Sequence, residues 1–129
     1  MRPLVLALGL LALPFVAQAQ SIPVEYQGQW SGEGRQRGNS SWRIDINLGP
    51  EVGVAFYPEY QCTARWVFQP DADPFAFWTA SGREETVTGH DQCIDGLGLF
   101  LRIGEDGSLL VEWRGDDGIP MAIALLARG

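Results

Sequence analysis

The residues best equipped for chemistry in this chain are aromatic. Trp30, Trp42, Trp66, Trp78 and Trp113 stand with Tyr26, Tyr57 and Tyr60 in a chain of 129 residues. A large ring fills volume, while its indole N–H or phenol O–H seeks a partner once buried. Such a set either fills a core, lines a cavity where a small ligand stacks, or forms an exposed patch for a partner protein. Trp42, Trp66, Trp78, Trp113, Tyr57 and Tyr60 are the candidate residues for ligand or partner binding.

Ionisable groups make a weaker case. The single histidine, His90, lies in Gly89-His90-Asp91-Gln92 just before Cys93, a context that reads as a surface loop and not as acid–base machinery. No Gly-x-Ser-x-Gly elbow presents a serine nucleophile. Glu84-Glu85 and Asp116-Asp117 are paired only along the chain. Neighbours on a strand point to opposite faces, so adjacency does not bring two carboxylates together across a cleft. Asp71 and Asp73 lack the twelve-residue calcium-loop pattern, and two Cys with one His fall short of a four-ligand zinc site. The reading calls for no catalytic residue, no metal and no cofactor.

The elements that must hold these side chains are strands. Trp42, Ile44, Ile46 and Leu48 alternate with polar residues, the mark of a strand with one buried face. Cys62, Ala64, Trp66 and Phe68 form a second such row, Leu97 to Ile103 a third and Leu109, Val111 and Trp113 a fourth. Met121, Ile123 and Leu125 are read as the inward row of a last strand. Gly49-Pro50, Asp71 to Pro74, Asp106-Gly107 and Gly115 to Gly118 supply turn chemistry, and Gly34 to Gly38 is expected to turn the chain between the first two strands. The expected fold is all-β, a small antiparallel barrel or sandwich of about eight short strands.

The first nineteen residues carry an address. Arg2 precedes an apolar run from Leu4 to Val16, and Ala17-Gln18-Ala19 follows. That is the plan of a secretory signal peptide with cleavage after Ala19, too short to span a bilayer core that needs about 20 apolar residues. The working domain is then 20–129, periplasmic or secreted, and with no cysteine at the cleavage site it carries no lipid anchor. In an oxidising compartment Cys62 and Cys93, the only cysteines, are expected to be bridged. Asn39-Ser40-Ser41 fits a glycosylation pattern but reads as a plain turn.

All nine basic residues are arginine, and the chain has a net charge of −7 that becomes more negative when Arg2 leaves with the leader. An acidic surface lacks the basic patch that nucleic acid requires and is repelled by anionic lipid heads, and it is electrostatically compatible with a cationic partner.

Two stretches carry a resemblance. Gly28-Gln29-Trp30 on the first strand resembles the Gly-x-Trp signature of lipocalins and other calycins. The resemblance implies that Trp30 closes one end of an antiparallel barrel under an arginine from a late strand, a role open to Arg114 or Arg128. Tyr57-Pro58, Cys62, Glu85 to Gly89, Cys93-Ile94-Asp95-Gly96, Asp106-Gly107 and Trp113 follow in an order similar to a family of small secreted bacterial β-domains, some attached to Ser/Thr kinases. Val87 stands where that family prefers Ile, and Ala64-Arg65 where it prefers a Gly. The family has no assigned activity, so the resemblance bears on fold, compartment and disulfide. The first functional expectation is a non-catalytic, calycin-like barrel for a small apolar or aromatic ligand. The alternative is an acidic inhibitor of a cationic envelope hydrolase such as lysozyme.

Overall fold

A computed structural model describes residues 21–69 and 76–129. The leader and the Asp71–Pro74 turn lie outside the described residues. Eight strands run β1 (Gly28–Gln36), β2 (Ser41–Leu48), β3 (Gly53–Tyr57), β4 (Cys62–Gln69), β5 (Ala80–Thr88), β6 (Leu97–Ile103), β7 (Leu109–Arg114) and β8 (Pro120–Arg128). Each pairs antiparallel with the next, and β8 returns to pair with β1 from Trp30↔Arg128 to Gln36↔Ala122. The result is a closed barrel and not a sandwich. Closure satisfies both edges of the sheet, and eight strands leave an interior that side chains nearly fill.

The alternating rows act as the periodicity predicts. Trp42, Ile44, Ile46 and Leu48 face inward from β2, as do Cys62, Ala64, Trp66 and Phe68 from β4. Leu99, Leu101, Leu109, Val111 and Trp113 complete the core on the far side. The Asp106-Gly107 hairpin forms as expected, with Gly107 at φ 85° and the Asp106 carboxylate accepting from the Ser108 amide at 3.0 Å.

Two local expectations are corrected. On β8 the inward row is Ala122, Ala124 and Leu126, while Ile123 and Leu125 are 44% and 61% exposed. Both rows of that strand are apolar, so alternation alone does not choose between them. Register decides: Ala124 lies opposite Gly34 on one side and Val111 on the other, and Leu126 opposite Gly32 and Leu109. Gly34 itself is not a turn residue. It sits within β1 opposite Trp42, and a Cβ there would lie 2.3 Å from the indole ring. The turn follows later, with Gly38 at φ 94° and Asn39 at φ 71°.

One end of the barrel is plugged. A 3-10 turn over Val24–Tyr26 crosses it, burying Ile22 and Tyr26. The Tyr26 ring meets Phe68 edge-on at 6.1 Å, and its hydroxyl bonds to Thr79. Trp30 is 1% exposed and donates its indole N–H to the Tyr26 carbonyl at 2.8 Å. The Arg128 guanidinium lies 4.1 Å above that ring and donates to the Gln27 and Glu25 carbonyls, both at 2.6 Å. Arg128 therefore fills the role for which two arginines competed. Arg114 instead covers Phe100 at 4.0 Å on the outer face.

Candidate functional site

The opposite end is open. Here β1, β3, β5 and β7 finish and β2, β4, β6 and β8 begin, so residues far apart in sequence meet around one rim. A cavity of about 200 Å³ enters the barrel at this rim. Its walls are aromatic: Trp42, Tyr57, Tyr60 and Trp113 all line it. Trp42 packs edge-to-face against Trp113 at 5.2 Å and against Tyr57 at 5.4 Å, and Trp66 meets Trp113 at 6.0 Å from below. Edge-to-face contacts of this kind set the edge of one ring against the face of the next and hold the rings in fixed orientations.

A loop from Gly89 to Gly96 forms one side of the mouth and contributes Gln92, Cys93 and Ile94 to the lining. The Cys62–Cys93 disulfide ties this loop to the start of β4. Hydrogen bonds to β5 hold it as well. The Thr86 amide donates to the Asp95 carboxylate at 2.8 Å, and the Gly96 amide donates to the Glu84 carbonyl at 2.9 Å. Gly89, at φ 83°, has no room for a side chain, because a Cβ would lie 2.8 Å from the Cys62 sulfur. The bridge is thus a structural part of the cavity wall.

Glu84 lies at the cavity, 4% exposed, on the inward row of β5. Its Oε2 accepts the Tyr57 hydroxyl and, at 2.8 Å, the indole N–H of Trp66, its direct cross-strand partner. Burial pushes the Glu84 carboxyl above the ordinary carboxylate range, against the pull of the Tyr57, Trp66 and Trp113 donors. The Tyr57 phenol is pushed well above its usual range by its own burial and by the neighbouring Glu84 charge. Among the described residues no three His, Cys, Asp or Glu side chains converge to hold a metal ion.

Of the six aromatic candidates, Trp42, Tyr57, Tyr60 and Trp113 line the cavity. Trp66 is fully buried beneath it and acts by holding Glu84. Trp78 stands elsewhere, packed against Phe77 at 5.0 Å and Phe100 at 6.3 Å on the outside of the barrel. His90 is exposed in the loop after β5, and Asp116 and Asp117 are exposed in the β7–β8 turn. Glu84 and Glu85 do point to opposite faces: Glu85 pairs outside with Arg65 at 2.6 Å. What sequence reasoning missed is Glu84 as a member of the aromatic cluster. The available signal was its phase, in step with Ala80, Gly82 and Thr86 on a row otherwise free of charge.

No protein-family model, curated protein or solved structure matches this chain.

Proposed function

We propose that this protein is a non-catalytic binding barrel of the periplasm or extracellular space, taking a small aromatic or apolar ligand into its open end. The observation that carries the reading is the asymmetry of the two ends. One is sealed by Ile22, Tyr26, Trp30 and Arg128, and the other opens on an aromatic cavity. At about 200 Å³ the cavity falls below the roughly 300–1,000 Å³ of sites for drug-sized molecules, so the ligand is small. An apolar cavity of roughly 150 Å³ suffices for benzene, which sets the scale at one ring with a short tail. Binding without turnover fits the chemistry of the walls. Glu84 has hydrogen-bonding neighbours that hold it, but neither it nor exposed His90 faces a nucleophile–base partner at the cavity. The disulfide supports an oxidising compartment.

The acidic-inhibitor reading retains one observation of its own. Exposed Ile123 and Leu125 lie beside Leu110 on the outer face, with Glu33 and Glu112 as cross-strand neighbours, an apolar strip with an acidic border.

The test is a titration of the oxidised protein with small aromatic compounds, followed by tryptophan fluorescence, because Trp42 and Trp113 form the wall. Saturable quenching is expected, and Ala122→Phe, which fills the cavity from β8, should abolish it. His90→Ala should leave it unchanged. A wild-type protein that shows no saturable binding, or an Ala122→Phe variant that binds equally well, defeats the reading.

A further inference from the structure

Glu84 is more than a purely apolar ligand requires. Its carboxyl is buried, yet among the described residues no arginine or histidine pairs with it; the two ion pairs are Arg65–Glu85 and Arg114–Glu112. Its neighbours are neutral donors: the Tyr57 hydroxyl and the Trp66 indole N–H on Oε2, with the Trp113 indole beside them. An ionised carboxylate has about four acceptor sites, and neutral donors fill some of them without cancelling its charge, in a place water reaches poorly. Leaving such a charge unpaired is costly, and a cation arriving in the cavity removes that cost.

The rest of the lining points to the same sign of charge. Among the described residues no arginine or histidine lines the cavity, whose other polar side chains include the uncharged Gln36 and Gln92. The aromatic faces of Trp42, Tyr57, Tyr60 and Trp113 carry negative π-density, which attracts a cation and repels an anion. The net charge of the chain favours approach of a cation as well.

From this combination we infer that the ligand class is a small organic cation, a monoamine whose ammonium group meets Glu84 and whose apolar or aromatic body lies against Trp42 and Trp113. The inference rests on the binding-barrel reading and sharpens it. Glu84 and the aromatic rings are binding residues, and Trp66 is a positioning residue that holds the carboxylate through its indole N–H.

Three compounds of one shape test it by calorimetric titration: 2-phenylethylamine, 2-phenylethanol and phenylacetate. The amine is expected to bind about tenfold or more tighter than the alcohol, and phenylacetate weakest of all. Glu84→Gln, which keeps an acceptor for Tyr57 and Trp66, should remove the amine's advantage over the alcohol. Should that variant fail to fold, the ranking of the three compounds on the wild-type protein decides alone. Equal binding of amine and alcohol, tighter binding of phenylacetate, or an amine preference that survives Glu84→Gln overturns the cation assignment while the binding barrel stands. Failure of all three to bind removes the barrel reading and this inference with it.

Discussion

Removing one oxygen atom from Tyr57 probes the interior directly. Tyr57→Phe keeps the ring that packs on Trp42 at 5.4 Å and deletes only the hydroxyl that donates to Glu84 Oε2. With Glu84 ionised, the lost bond is charge-assisted and buried, a class that contributes about 1.5–3 kcal/mol, against roughly 0.5–1.5 kcal/mol for a neutral pair. The loss therefore depends on the charge of Glu84. Its carboxyl titrates above the usual range because it is buried, so at pH 4 it is protonated, and the variant should then cost only about 1 kcal/mol. Well above the raised titration point the cost should grow to about 2 kcal/mol or more.

The wild-type protein itself follows the opposite course on this account. An acid whose proton is held more tightly in the folded state stabilises the fold below its unfolded titration point. That contribution is lost as pH rises through the folded one. Urea unfolding followed by tryptophan fluorescence over a pH series rising from pH 4 measures both effects. With a slope of about 1–3 kcal/mol per molar urea, a 2 kcal/mol loss moves the midpoint by about 1 M. Other carboxylates titrate in both proteins and cancel in the difference. A cost that stays level or falls as pH rises across the series refutes the account of Glu84 as the charged acceptor of Tyr57.

Two further outcomes concern the ends of the barrel. Trp30→Ala should destabilise the fold by about 3–5 kcal/mol, since it removes a buried ring together with the surface on which Arg128 rests; an unmoved denaturation midpoint would refute it. Unfolded, unreduced protein should show no titratable thiol, and breaking the Cys62–Cys93 bridge should cost roughly 3–4 kcal/mol and weaken ligand binding by freeing the Gly89–Gly96 loop. Binding that is indifferent to reduction would show that the loop is not part of the cavity wall.

Much of this architecture is legible in one dimension. Alternation is a local property of the pleat, so the inward rows of β2, β4, β6 and β7 can be read from Trp42, Trp66, Leu99 and Val111 and their neighbours. Asp106-Gly107 announces its hairpin because glycine accepts the positive φ of that turn. The cysteines pair because no other partner exists. Local chemistry also separates Glu84 from Glu85.

Tertiary structure alone decides the rest. Whether eight strands close into a barrel depends on β8 finding β1, a pairing between the two ends of the domain that no local pattern encodes. On β8 both rows are apolar, and the inward one is set by register with β1 and β7, which places Ala124 between Gly34 and Val111 and Leu126 between Gly32 and Leu109. Arg128 and not Arg114 reaches Trp30 because strand register sets them at opposite ends. The candidate site has the same origin. Trp42, Tyr57, Trp66, Glu84 and Trp113 lie on five different strands, and each is an ordinary inward residue of its own row. Period-two alternation says which way a side chain points but not what it meets, and only closure of the barrel brings a carboxylate, a phenol and three indoles to one place.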